Sequence, residues 1–292
     1  MKKPTYKRQK ALLALLDIFG GRLSKLELQK YMFLYVEEFS YDKHYGFVPY
    51  HFGSFSYELY KDLHTLERNG LLKVYEHHIK SEYRGSIEDV SRDEQNSITR
   101  FFMQHQNLRG DDLIGYVYNK YPYYAINSKI YNKFISTEEL NKYRARNADT
   151  TLYTIGYEGK KFETYLNQLI ESNIKILVDV RKNAHSMKYG FSKKTLQGAV
   201  ENLGIKYFHM PNLGIESENR KMLQTKKDYQ KLFDNYEKTL AYKTNELEYL
   251  NSTIEVENRV AITCFEKDVS DCHRGVIAKK IHQIYNRGIK HL

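Results

Sequence analysis

The segment from Val260 to Arg274, VAITCFEKDVSDCHR, gathers two thiols, three carboxylates, an imidazole and a guanidinium in one short stretch. Cys264 and Glu266 stand at the end of an apolar run, and Cys272, His273 and Arg274 stand where a helix is expected to begin. A strand leading into a helix N-terminus delivers side chains to the carboxyl edge of a sheet. Open α/β folds bind ligands there, and orphan N–H groups at helix starts favour anions and thiolates. The pattern is that of a site rather than of packing.

Three further apolar runs end in polar chemistry. TIGYEG offers Tyr157 and Glu158, LVDVR offers Asp179 and Arg181, and YFHMPNLG offers His209. Strand side chains alternate, so Asp179 and Arg181 share a face, where the arginine keeps the carboxylate ionised. The ends of these segments are expected to meet in one cavity.

Three chemistries fit such a cavity. In the first, Asp179 is a general base or electrostatic stabiliser while Arg181 and Arg274 hold phosphate, as a hydrolase that removes a base or cuts a nucleic-acid backbone requires. In the second, Cys264 or Cys272 is a nucleophile, favoured as thiolate by the helix start and Arg274, with His273 or His209 as base. In the third, Cys264, Cys272 and a histidine bind zinc. Their eight-residue step departs from the usual two-to-four-residue cysteine pairs, so no cofactor is expected and zinc is the minor option. Tyr157 and Glu266 complete the candidate catalytic set, and Cys272, His273, Lys188 and Lys194 join Arg274 as candidate phosphate contacts. Plainer roles compete: Cys264 as a core residue, Asp179 with Arg181 as a structural ion pair, His209 bonding the backbone, and Tyr157 as a cap on the pocket.

The elements that position these residues alternate strand and helix from Thr151 onward, the mark of a parallel sheet covered by helices. Strands are expected at 152–156, 174–180, 205–210 and 259–265, and helices at 162–172, 192–203 and within a long polar region from Asn219 to Leu250. Asp271 is the expected cap of a last helix, followed by an edge strand at 289–292.

The segments TIGYEG, LVDVRKNAHS, FSKKTL, IKYFHMPNLG and ITCFEKDVSDCHR together resemble the DUF488 family, a domain of unknown function, across residues 151–292. The resemblance implies an α/β fold with helices on both faces of the sheet, a shared polar pocket, and a nucleic-acid context.

Upstream, residues 1–80 read as a mainly helical, winged helix-turn-helix-like domain. A helix at 10–19 ends at Gly20 and Gly21. A second begins at Ser24, whose capping box closes on Glu27, and runs to about Phe39. An aromatic loop, a helix at 56–69 and a strand from Leu71 follow. LQK, FVPYHFGSFSYELYKDL and ERNGLL resemble the Panacea and SocA-like antitoxin-related helical modules, which implies DNA binding or protein docking rather than catalysis. Residues 81–150 are expected to connect the two domains through a helix at 93–106 and a tyrosine-rich segment.

The chain has 292 residues, net charge +10 and two cysteines. That excludes a disulfide framework, no run approaches a membrane span, and reduced thiols in the cytoplasm are expected. The charge favours polyanionic partners, DNA or another nucleic acid. The leading expectation is a hydrolase acting on DNA, glycosylase- or nuclease-like, in defence against foreign DNA. The alternative is a non-catalytic DNA-binding regulator or antitoxin-like adaptor with a nucleotide-sensing α/β domain.

Overall fold

The computed structural model describes residues 3–83, 85–144, 150–216, 218 and 225–292. The chain divides into two compact units, Met1–Arg144 and Ala145–Leu292.

In the first unit the order is α1 (Lys7–Ile18), β1 (Arg22–Ser24), α2 (Lys25–Glu38), β2 (Val48–Tyr50), β3 (Gly53–Phe55), α3 (Tyr57–Arg68), β4 (Leu72–Val74), β5 (His78–Ser81), α4 (Arg92–His105), α5 (Gly110–Lys120) and α6 (Thr137–Asn141). Ser24 caps α2 and Glu27 closes the box, as its spacing predicts. Strands β1, β5 and β4 form an antiparallel sheet, so α1 to β5 follow the expected winged order. The aromatic loop is itself a hairpin, β2 pairing with β3.

Residues 81–144 are not a connector. Helix α4 sends Phe101 among Phe19, Tyr31, Tyr35 and Phe39, with ring centroids 5.5–6.2 Å apart. Helix α5 packs on α2, burying Leu113, Ile114, Val117 and Tyr118. The tyrosine-rich stretch hid this helix because its polar and aromatic positions blur the 3.6-residue period. Residues 145–149, the expected end of the linker, lie outside the described residues.

Lys30 is buried in α2, and its ammonium donates to the Phe52 carbonyl beside Ser54. Burial lowers its pKa to about 7. Between that value and the unfolded lysine's pKa of about 10.4 the unfolded chain binds more protons, so stability rises with pH across this window, by at most about 1.4 kcal/mol per unit. Below about 7 both states are charged and the full cost of burial is felt. The stability gap between wild type and Lys30→Met is therefore expected to change steadily between pH 7 and 10 in denaturant titrations. Parallel curves would contradict it.

The second unit runs β6 (Thr151–Gly156), α7 (Phe162–Glu171), β7 (Ile176–Asp179), α8 (Lys193–Glu201), β8 (Lys206–His209), α9 (Lys226–Leu240), α10 (Thr244–Glu257), β9 (Arg259–Cys264), α11 (His273–Tyr285) and β10 (Gly288–His291). The five strands are all parallel in the order β10-β6-β9-β7-β8. The terminal segment is an edge strand, as expected. The polar region expected from Asn219 is two helices broken at 241–243, and its residues 219–224 lie outside the described ones.

The sheet separates two cores. Leu152, Ile176, Val178, Val180, Val260, Ile262 and Cys264 pack with residues of α9, α10 and α11. Tyr165 of α7 reaches the opposite face, where its hydroxyl donates to Thr263 at 2.8 Å. β6 and β7 flank β9, so the strands carrying Tyr157, Asp179 and Cys264 are adjacent in the middle of the sheet.

Candidate functional site at the carboxyl edge of the sheet

Registry decides which of these side chains meet. Asp179 lies opposite Thr263 in the β7–β9 pair. Side chains alternate along a strand. Asp179 therefore shares the α7 face with Thr263, while Val178, Val180 and Cys264 belong to the other. The expected single constellation is two clusters, back to back, that reach the same sheet edge.

The first is closed. The Asp179 carboxylate is 0% exposed. Its Oδ1 accepts from the Arg181 backbone N–H at 3.1 Å and from Arg181 Nε at 2.8 Å. Its Oδ2 accepts from Arg181 Nη2 at 2.5 Å and from the Tyr207 hydroxyl at 2.6 Å. These four bonds fill the acceptor capacity of a carboxylate. Arg181 Nη1 donates to the Tyr157 hydroxyl and the Phe191 carbonyl, both at 2.8 Å. Tyr157 is stacked on Phe191 with centroids 4.2 Å apart. Burial opposes the Arg181 charge, but the hydrogen bonds and charge of Asp179 outweigh it and hold its pKa above the ordinary value. Burial, then Asp179, pushes the Tyr207 phenol up.

Asp179 is thus bonded to Arg181 and Tyr207 through both of its oxygens, the arrangement that the structural-ion-pair reading expects. The Tyr157 hydroxyl braces the guanidinium. His209, the third strand's candidate, donates from Nε2 to the Arg181 carbonyl at 2.9 Å, with Lys193 Nζ 3.1 Å from its Nδ1. It bonds the backbone, as the plainer reading holds.

The second cluster is built by β9 and the start of α11. Cys264 and Cys272 are each 1% exposed and His273 is 0% exposed. Glu266 Oε2 accepts from the Cys264 thiol at 3.2 Å and from the Cys272 thiol at 2.9 Å. His273 Nδ1 lies 3.6 Å and 3.9 Å from the two sulfurs, and its Nε2 is 3.0 Å from the Val180 carbonyl. The Cys272 hydrogen bond and the neighbouring His273 hold the Cys264 thiol well below its usual range despite burial, whereas burial and the Cys264 sulfur push Cys272 well above it.

Arg274 fixes the loop between them, its Nη1 donating to the Glu266 carbonyl at 2.5 Å and its Nη2 to the Lys267 carbonyl at 2.9 Å. Cys272, His273 and Arg274 are all buried, so none presents itself to phosphate as expected from the sequence. Nor does Asp271 cap α11: the N-cap is Cys272, with no side-chain cap bond. Gly156 makes this packing possible, since a Cβ there would stand 1.9 Å from the Glu266 carbonyl oxygen.

A cavity of about 340 Å³ opens where the clusters reach the edge, lined by Tyr157, Arg181, Lys182, His185, Cys264 and Phe265 among others. Phe265 is 42% exposed at its rim. Lys182 pairs with Glu216 at 2.5 Å on the surface. Gly214 lets the chain close on the Lys182 backbone, 2.3 Å from where its Cβ would stand. Of the lysines expected to hold phosphate, Lys188 donates to the Tyr157 carbonyl at 2.7 Å and Lys194 is exposed on the first turn of α8.

Sequence reasoning missed Lys182, Asn183, His185 and Ser186, which line this cavity. A signal was present. From Val180 to Val200 the chain carries Arg181, Lys182, Lys188, Lys193 and Lys194 and no carboxylate.

The family model described as Domain of unknown function DUF488 matches residues 161–281. The C-terminal unit carries a DUF488 domain. The matched span takes in both clusters except for Tyr157, whose TIGYEG segment lies just before it. No curated protein and no solved structure matched the chain. Within the DUF488 domain, residues of the stretch from Arg181 to Met187 face Cys264 and Phe265 across one cavity.

Proposed function

We propose that the protein binds nucleic acid and that the cavity of its DUF488 domain receives a nucleotide unit for hydrolysis, by base excision or phosphodiester cleavage. The observation that carries this reading is the basic, carboxylate-free segment 180–200 bordering a cavity rimmed by the exposed ring of Phe265. Lysines neutralise phosphates, and an exposed aromatic ring stacks a base without regard to sequence. Lys182 exchanges its exposed partner Glu216 for a phosphate at little cost, because surface ion pairs contribute about 0–1 kcal/mol.

Fluorescence anisotropy with labelled single- and double-stranded DNA and RNA over a salt series tests the binding. Lys182→Ala is expected to weaken it and to reduce the slope of log K against log salt by about 0.7–0.9, the share of one phosphate contact. Phe265→Ala weakens single-strand binding with no change of slope. Binding that does not respond to salt would overturn the proposal.

A non-catalytic sensor is the second reading, and one observation favours it. The carboxylate best placed by sequence to act as base, Asp179, is fully engaged by Arg181 and Tyr207. Incubation with plain and base-modified DNA, with and without divalent metal, separates the two. Abasic sites or nicks support the hydrolase, while salt-dependent binding with intact DNA supports the sensor.

A further inference from the structure

The geometry points to a zinc site: we propose that Cys264, Glu266, Cys272 and His273 bind one Zn(II) ion beneath the cavity of the DUF488 domain. This goes beyond the nucleic-acid reading and does not depend on it.

One ligand atom from each of the four residues lies within 4.8 Å of every other. Tetrahedral zinc, with bonds of about 2.3 Å to sulfur and 2.0–2.2 Å to nitrogen or oxygen, places its ligands roughly 3.3–3.8 Å apart. The four sulfur-to-donor separations, from 2.9 to 3.9 Å, bracket that range. The four donors are therefore close enough to share one centre.

The surroundings are those of a metal centre. His273 Nε2 lies at hydrogen-bond distance from the Val180 carbonyl, which sets the neutral ring's proton on Nε2 and turns Nδ1 towards the sulfurs. A backbone carbonyl that orients a histidine in this way is the usual outer partner of a metal-bound imidazole. Arg274 holds the carbonyls of Glu266 and Lys267, so the carboxylate ligand sits on a fixed loop. Two thiolates, one carboxylate and Zn(II) sum to a single negative charge, which the adjacent buried Arg274 offsets. On binding, the two thiols release their protons to solvent and their sulfurs, with Glu266 Oε2 and His273 Nδ1, supply the four electron pairs. No oxidant or reductant is involved.

The eight-residue step from Cys264 to Cys272 departs from zinc-ribbon spacing because the pair is not carried on one knuckle. One sulfur ends a strand, the other precedes a helix, and the loop between them folds back over Gly156.

Full-length protein, stripped of metal under reducing conditions and titrated with Zn(II) against a competing chelator, is expected to take up one ion per chain. Co(II) in its place should give the thiolate-to-cobalt charge-transfer band and the intense visible absorption of a tetrahedral centre. Cys272→Ser should lower zinc affinity by more than about a hundredfold, the upper end of losses from outer partners alone, and should weaken the charge-transfer band. Glu266→Gln keeps both sulfurs and should retain that band while lowering affinity, which covers the case of a serine variant that does not fold. His77→Ala, an exposed histidine of the N-terminal unit, should bind as wild type does. Less than half an equivalent of zinc in folded wild-type protein, or a Co(II) spectrum without sulfur bands, would overturn the proposal. So would a Cys264–Cys272 disulfide that forms equally fast with zinc present, since ligated thiolates resist oxidation. None of these readouts depends on nucleic-acid binding or turnover, so the site and the nucleic-acid reading stand or fall separately.

Discussion

Asp179→Asn is expected to destabilise the C-terminal unit by about 3–5 kcal/mol, the range seen when one partner of a buried ion pair is removed. The side chain keeps its size but loses its charge. Arg181, 5% exposed and bonded to both carboxylate oxygens, is left with an uncompensated guanidinium. The amide nitrogen also presents donors to donors, since every bond Asp179 makes on this side is one it accepts. Denaturant unfolding of Asp179→Asn, Arg181→Met and the pair measures the interaction: the double variant should lose less than the sum of the singles. Additive losses would mean that the two residues do not form the pair described. The same result governs any assay of turnover. Activity lost in Asp179→Asn would include the loss of the scaffold that holds Arg181 and Tyr157, so Lys182→Ala and Phe265→Ala are the informative variants for the cavity.

Gly156→Ala is expected to be as damaging through a different cause. The added methyl would meet the Glu266 carbonyl oxygen at 1.9 Å, with the carbonyl carbon 2.9 Å and Arg274 Nη1 3.1 Å away. The obstacle is backbone, so the loop from Phe265 to Lys267 must move and the Arg274 clamp must break. The cost is several kcal/mol, at or above the roughly 1–3 kcal/mol of ordinary overpacking. The effect is local to one loop, which makes it measurable apart from stability. Cys264 and Cys272 should react faster with a thiol reagent in Gly156→Ala than in wild type under native conditions. Unchanged thiol reactivity and unchanged melting would show that the close approach at Gly156 is not a constraint.

Much of the fold was legible because its elements carry strong local signals. Four of the strands in the second unit are apolar runs bounded by turns, and Ser24 with Glu27 announces the start of α2. Helix α5 escaped because its two tyrosines differ in burial, Tyr118 in the core and Tyr116 half-buried, which blurs the edge of the apolar stripe. Lys182, Asn183, His185 and Ser186 escaped for another reason. Strand ends attract notice through their titratable side chains, and the residues that line the cavity come after the strand, where no period marks them.

For the site, residue types alone placed an acid, a guanidinium, an imidazole and two thiols at the ends of parallel strands, all within the residues 161–281 that the family model spans. Whether those groups meet is a matter of register and strand order, which composition does not encode. β9 lies between β6 and β7, and its pairing sets Thr263, not Cys264, beside Asp179. A shift of one residue would carry Cys264 to the Asp179 face. Sequence by itself determined which side chains reach the sheet edge; tertiary structure alone decided that they form two clusters, because a side chain's face follows its place in the ladder and not its chemistry.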